Sequence, residues 1–567
     1  MNLSPETKIA GLLTPLFALR REHDLGIGDV GALREFIQWA HENGFRLVQM
    51  LPTNEVGHDN SPYNAISSMA LEPTTLLLEP GSPPELTHAD YQSVTADVDL
   101  GALRRGGVKY NRVRKLKRSL LERACSHFEI HGSAARWQKF DDFLNRAAEW
   151  LAPYTFFRAL MELNNDSEAW PAWPEEQRHP QTARSWLEAQ PPEIRAEFAT
   201  REKFFAYVQF VADEQWRAMK EFAGQKGVAL MGDIPFGVSF CSADVYTHRE
   251  IFHLEWSGGA PPEPYFKDDA FTQKWGQNWG IPIYNWDALR AEDFAWWRRR
   301  VRGVQRKTHL FRIDHVLGFY RIYSFPWRPA ENADFLPLDW EQMLQVTGGR
   351  APHFIPRADD SYENCAENQR AGEEYLRMIV TEHAGVVGED LGTVPDYVRP
   401  SLRQLGIAGF KIPQWETPGG WLTPGNEYER LSVATYATHD HKPLREVWAE
   451  AYDENSPTRD QAREELRTIA AFAGFAPREG LEYERDFFPA IMSALFMSNS
   501  WIAVVMITDA LARRDRFNVP GVAGHENWTR RLPKSVSQMQ HSRSVRHRMR
   551  VLRELLAKSG RTPAPES

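Results

Sequence analysis

Short apolar runs that stop abruptly at a polar or acidic side chain recur along this chain. The run at 310–313 stops at Asp314 and His315, 228–231 leads to Asp233, and Val386 and Val387 lead to Glu389 and Asp390. Residues 433–437 end at Thr438, His439 and Asp440, 501–507 ends at Asp509, and 407–412 forms a further run. Buried parallel strands read this way, apolar on both faces, with the functional side chain where the strand opens into its loop. Two more runs, at 11–19 and 45–51, flank a helix that Asp29 caps and Gly44 ends, with Leu33, Phe36, Ile37 and Ala40 on one face. Eight strands separated by helical segments predict an α/β fold, a (β/α)8 TIM barrel with its site at the carboxyl ends of the strands.

Three stretches interrupt the alternation. Residues 74–226 read as mainly helical, with Val113, Leu116, Leu120, Ala124 and Phe128 in one apolar stripe. Arg112, Arg114, Lys115, Lys117 and Arg118 beside that stripe are expected to form its solvated face. Within 250–300, Trp256, Tyr265, Phe266, Phe271, Trp275, Trp279, Tyr284 and Trp286 are interleaved with glycines and prolines. That density of Gly and Pro is expected to exclude a regular helix or strand. The segment is then either a lid packed on its own small core or a cleft edge on which sugar rings stack. Residues 328–378 form a third insertion. The expected organisation is one catalytic barrel over 1–558 carrying these insertions, with a disordered tail at 559–567.

Composition narrows the function. A 567-residue chain with 42% hydrophobic and 25% charged residues is an ordinary globular protein. Its net charge of −9 gives no reason to expect nucleic acid or an anionic membrane as partner. Three dispersed cysteines (Cys125, Cys241, Cys365) suit a reducing compartment. No run is long enough to span a membrane, and 9–19 lacks the flanks of a signal peptide, so the expected location is cytoplasmic. Gly26, Gly28 and Gly31 match a dinucleotide spacing. The polar segment 20–24 separates them from the strand, however, and Asp29 would oppose a pyrophosphate.

The acids carry the chemistry. Arg312 lies two positions before Asp314, so on a strand both side chains share a face, and the guanidinium keeps the carboxylate charged and oriented. A structural ion pair would look the same; an ionised carboxylate at a strand end is also what a nucleophile needs. Glu389, after two valines and beside Asp390, has a setting that favours its protonated form and suits a general acid/base. Asp440 with His439 can hold sugar hydroxyls as an oxocarbenium ion forms. No metal-ligand spacing is present, and no metal is expected.

The chain resembles the amylomaltase (4-α-glucanotransferase, disproportionating enzyme) family along nearly its whole length. The matching segments include Gly26–Asp29, Ser61–Tyr63, Gly232–Pro235, Ser242–Val245, Gly259–Pro262, Arg312–His315, Glu389–Gly392, Thr438–Asp440 and Asn518–Gly521 with Asn527 and Trp528. The resemblance implies a (β/α)8 barrel without a cofactor that transfers α-1,4-glucan segments from a maltooligosaccharide donor to a glucose or oligosaccharide acceptor. It implies Asp314 as nucleophile, Glu389 as acid/base and Asp440 as transition-state stabiliser. Arg312, His439, Tyr63, Gln277, Trp279 and Asn518 would line the sugar subsites. An α-glucan hydrolase with the same site, or a non-catalytic glucan-binding protein of the same fold, are the alternatives. The chain departs from the family pattern at Cys241, Glu263 and Ile281, at His441 where Asn is usual, and in the 328–378 insertion.

Overall fold

A computed structural model describes residues 3–262, 269–476, 480–520 and 526–562. Its strands in chain order are β1 (Ile9–Leu13), β2 (Leu47–Gln49), β3 (Ala229–Ile234), β4 (Phe252–Ala260), β5 (Gln277–Tyr284) and β6 (Leu310–Ile313). There follow β7 (Ile322–Phe325), β8 (His353–Ile355), β9 (Val386–Gly388), β10 (Gly409–Lys411), β11 (Ser432–Ala434) and β12 (Ile502–Met506). All eight runs read as barrel strands pair in parallel, in the order β10-β11-β12-β1-β2-β3-β6-β9. A parallel bridge between Val387 and Ala408 closes β9 onto β10, so the sheet is a barrel without free edges. Leu13, Leu47, Met231, Leu310, Val387, Phe410, Val433 and Val504 belong to the buried cluster these strands share. Gly11 lies so close to β2 that a Cβ there would sit 2.4 Å from Leu47 Cδ2. The first strand is shorter than its apolar run: it ends at Leu13, and Leu16–Ala18 forms a separate helical turn after Pro15.

Helix α1 (Val30–Glu42) starts where expected, with the Asp29 carboxylate accepting from Ala32 N at 2.9 Å, and Gly44 follows its end at φ +85°. The helical insertion is dominated by α2 (Tyr110–His131), α3 (Ala134–Leu163) and α4 (Pro192–Gln225). The α2 stripe is buried throughout. Its basic flank is not uniformly solvated, however. Lys117 is buried and donates to the carbonyls of Thr74 and Leu76 at 2.6 Å each, with Asp29 3.9 Å away. Burial pushes its ammonium down to about 8 against the pull of Asp29. Arg114 donates to the Gly57 carbonyl at 3.0 Å, and the Glu168 carboxylate accepts from His58 at 2.5 Å. The insertion therefore pins the loop after β2 that carries Tyr63.

The aromatic segment is not irregular. Two stretches of it, β4 and β5, join β7 and β8 in a second, antiparallel sheet in the order β5-β4-β7-β8, combining the 250–300 and 328–378 insertions into one unit. Trp275, Phe325, Trp327, Phe335 and Met343 form its own core, and Trp327 stacks on Phe335 at 3.9 Å. Glycine and proline are accommodated for identifiable reasons. Pro282 lies on the edge strand β5, where a missing N–H is tolerated. The β4–β5 register shifts twice, and at Gly259 a Cβ would lie 1.8 Å from the Gln277 carbonyl oxygen. Glu263, Tyr265 and Phe266 lie outside the described residues. The C-terminus also differs from expectation. After the last helix (Arg543–Lys558) the chain turns inward at Ser559 and Gly560, and Arg561 is buried; residues 563–567 lie outside the described residues.

Candidate active site

The parallel pleat brings Arg312 and Asp314 to one face at the end of β6, as their spacing requires. Arg312 Nη2 donates to Asp314 Oδ1 at 2.6 Å and lies 3.8 Å from Glu389 Oε2, which projects from the end of neighbouring β9. Those two distances cap the separation of the two carboxyl oxygens at about 6.4 Å, against about 5–5.5 Å for a retaining pair. The other arm of the guanidinium, Nη1, is 2.6 Å from Asp233 Oδ2 at the end of β3. One buried arginine thus faces three carboxyl groups from three adjacent strands.

Glu389 is fixed twice. Its backbone N–H pairs with the Ile313 carbonyl at 2.9 Å, continuing the sheet. Its Oε2 accepts from the backbone N–H of His315 at 2.7 Å. His315 sits in the left-handed region at φ +50°, uncommon for a residue other than glycine, though histidine is among those that enter it more readily. Burial pushes the Glu389 carboxyl up to about 7; Arg312 opposes the rise and the Asp314 charge adds to it. Burial likewise pushes Asp233 up to about 6, against Arg312. Asp390, read in the sequence as a neighbouring charge, adds a smaller push in the same direction to Glu389, while its own carboxylate accepts from Phe410 N at 2.6 Å and from Arg399 Nε at 3.1 Å.

The other side of the cleft is built on the turn after β11. His439 Nε2 is 3.1 Å from Asp440 Oδ2, and Asn518 Nδ2 donates to Asp440 Oδ1 at 2.6 Å. Burial alone would raise the Asp440 carboxyl. The His439 charge and the hydrogen bonds from His439 and Asn518 outweigh it and hold the group well below the usual carboxylate range. His439 shifts the opposite way: burial lowers it, but the Asp440 charge and hydrogen bond prevail and raise it. Tyr63 joins the two sides. Its ring stacks on His439 at 5.1 Å, and its hydroxyl donates to Asp233 Oδ2 at 2.7 Å.

Gln277 and Trp279 come from the second sheet. They are alternate residues of β5, with Trp279 Nε1 donating to Gln277 Oε1 at 3.2 Å. The Trp279 indole is 39% exposed and meets the His315 ring edge-on at 4.7 Å, which places it at the rim beside Asp314. All nine residues singled out from the sequence are therefore tied into this mouth. Three contributors were missed: the His315 backbone N–H, Arg516, which donates to the Asp440 carbonyl at 2.6 Å, and Asp233. Only Asp233 left a signal, as an acid at a strand end. Among the described residues, no group of three or more His, Cys, Asp or Glu side chains could hold a metal ion.

Two carboxyl groups across one narrow cleft, one of them protonated near neutrality, are equipped to break and remake a glycosidic bond. Their place at the carboxyl mouth of a parallel barrel is where barrel enzymes carry their sites, and the class this points to is a carbohydrate-active enzyme. Comparison with known proteins narrows this: a family profile described as 4-alpha-glucanotransferase matches residues 14–537, and the chain belongs to that family and to its class of activity. The 4-alpha-glucanotransferase of Chlamydia pneumoniae is 30% identical over 549 residues, covering 93% of this chain and 92% of that protein. Two amylomaltase structures share the fold. That from Corynebacterium glutamicum gives a TM-score of 0.75 at 20% identity, over 97% of this chain and 75% of the other. That from Streptococcus agalactiae, in complex with acarbose, gives 0.72 at 22% identity, over 98% and 100%.

Proposed function

We propose that this 4-α-glucanotransferase works by retaining double displacement on maltooligosaccharides, with Asp314 as nucleophile and Glu389 as acid/base. Asp314 attacks the anomeric carbon as Glu389 gives its proton to the departing glycosidic oxygen, releasing the reducing-end fragment and leaving a glycosyl ester. Glu389, now a carboxylate, takes the proton of the 4-hydroxyl of an incoming glucose or oligosaccharide, which displaces Asp314 and restores the α-linkage. Asp440, held charged by His439 and Asn518, accepts hydrogen bonds from ring hydroxyls as positive charge develops. Arg312 aims Asp314 through its 2.6 Å hydrogen bond.

The observation that carries this reading is the Arg312 guanidinium shared between Asp314 and Glu389, which holds their facing oxygens within about 6.4 Å, below the roughly 6.5–9.5 Å of inverting pairs. Maltotriose supplied alone tests it. Transfer yields glucose and longer oligomers with a constant number of reducing ends. A rise in reducing ends would mean hydrolysis, and unchanged maltotriose would mean binding alone.

A further inference from the structure

His441 follows Asp440 directly, and its ring is committed at one end. Its Nδ1 lies 3.0 Å from the backbone N of Thr438 and 2.8 Å from Thr438 Oγ1. A backbone N–H can only donate, so Nδ1 presents a lone pair and the proton of the neutral ring must sit on Nε2. Nε2 forms no hydrogen bond among the described residues. The ring also packs against Trp415, 4.9 Å away and tilted 50°, whose indole is 51% exposed. The backbone that carries the indole is held locally: Trp415 N donates to the Ile412 carbonyl at 2.8 Å, and the side chain of the preceding Gln414 donates to the Tyr436 carbonyl at 2.7 Å.

A rigid ring nitrogen with a fixed proton, no protein partner and an open aromatic face beside it is a half-made sugar contact. An α-glucan offers the complement, an apolar pyranose face edged by hydroxyls. We propose that His441 is a substrate-binding residue whose Nε2–H donates to a hydroxyl of the glucose unit lying against Trp415. The contact rests on the glucan-transfer reading above and lies one residue beyond Asp440, so it acts on binding of the chain. An asparagine, usual here in the family pattern, can take the Thr438 N–H but cannot extend to where Nε2 lies.

The ring stays neutral in use. Burial pushes it down to about 4; Asp440 opposes that shift, and His439 and Arg516 reinforce it. The donor is accordingly the same across the working range, and no pH-dependence of KM arises from it above about pH 5.

Two substitutions separate the two ends of the ring. His441→Asn keeps an acceptor for Thr438 and removes the Nε2 donor. His441→Gln places an amide N–H near the Nε2 position and loses the Thr438 contact. The readouts are KM and kcat for maltotriose disproportionation, the melting temperature, and the maltotriose Kd by calorimetry in an Asp314→Asn background. Loss of one neutral hydrogen bond in His441→Asn is expected to raise KM and Kd about three- to tenfold. Its kcat and melting temperature stay near those of the parent. His441→Gln recovers most of the affinity while melting lower. Parent-like affinity in His441→Asn with impaired His441→Gln overturns the proposal, because the ring then serves only the Thr438 turn. A parent that binds maltotriose without converting it, with binding weakened by His441→Asn, leaves the contact standing and removes the transferase reading. No maltotriose binding at all removes both.

Discussion

Asp314 and Glu389 are both carboxyl groups at strand ends, and their surroundings divide the labour. Asp314 has the guanidinium at 2.6 Å, whereas Glu389 is 3.8 Å from it and buried enough to rise to about 7. The sign of the pH dependence follows. Bond cleavage needs protonated Glu389 in the free enzyme, and that form is lost as pH rises through its pKa. kcat/KM for maltotriose is therefore expected to fall above about pH 7, approaching tenfold per unit. A pH–rate profile flat to pH 9 would remove Glu389 as the acid. Asp314→Asn should cut turnover about 10⁴-fold or more while maltotriose binding survives, measured by single-turnover assay and calorimetry. At this scale the sequence was informative wherever a side chain does the work, because period-two spacing and strand ends are visible in it. The His315 N–H left no trace. It depends on a left-handed backbone at φ +50° that no residue type announces. Arg516 was equally silent, since it reaches Asp440 from the loop after β12.

Among the elements, the barrel strands were legible because burial on both faces writes an uninterrupted apolar run. The second sheet was not. Its strands contain the residues that normally argue against strands, and the reasons they are tolerated are tertiary: an edge position for Pro282 and close backbone approach at Gly259. That sheet matters to function because β5 carries Gln277 and Trp279, and Asn278 between them faces the opposite way. Its Nδ2 donates to the Trp327 carbonyl and to Asn332 Oδ1, each at 3.1 Å. Its Oδ1 accepts from Ser257 Oγ at 2.5 Å and from the Gly280 N–H at 3.3 Å. One amide thus ties β4, β5 and the 328–378 insertion together, which gives that insertion a role in holding the substrate strand. Asn278→Ala leaves several of these partners unpaired, at a local cost of about 2–3 kcal/mol. The loosened β5 is expected to raise KM for maltotriose more than it lowers kcat, with the pH profile unchanged. Equal losses in both parameters would instead mean general damage to the site.

On the scale of the whole molecule, the helical insertion and the C-terminus both do more than their composition suggested. The insertion supports the Tyr63 loop through Arg114 and Glu168, and the C-terminus closes the amino-terminal face of the barrel. Low hydrophobicity after residue 558 pointed to disorder, but a single polar side chain can anchor a segment when enough backbone acceptors are waiting. Arg561 donates from Nε to the Phe496 carbonyl at 2.6 Å, and from Nη1 to those of Ile9 at 2.8 Å and Trp501 at 3.1 Å. Its Nη2 donates to the carbonyls of Ser498 and Ser500 at 3.0 and 2.9 Å. All five N–H groups of the fork are used, and the acceptors come from β1, from the approach to β12 and from the end of the helix Phe488–Met497. The carboxyl end of that helix also favours a cation electrostatically. The Trp501 and Ser498 carbonyls also accept from Ile9 N and Lys8 Nζ, but without the guanidinium all five lose a charged donor in a buried place that water enters poorly. Arg561→Ala, or truncation after Gly560, is expected to destabilise the fold by about 3 kcal/mol or more. Arg561→Lys should recover only part of that, because an ammonium has three donors and no planar fork. The site lies at the opposite end of the strands, so maltotriose kinetics well below the melting temperature should match the parent. Denaturant unfolding read beside the kinetics checks both halves: an unchanged midpoint would mean the clasp contributes nothing, and a loss of turnover in the folded variant would mean the two barrel faces are coupled.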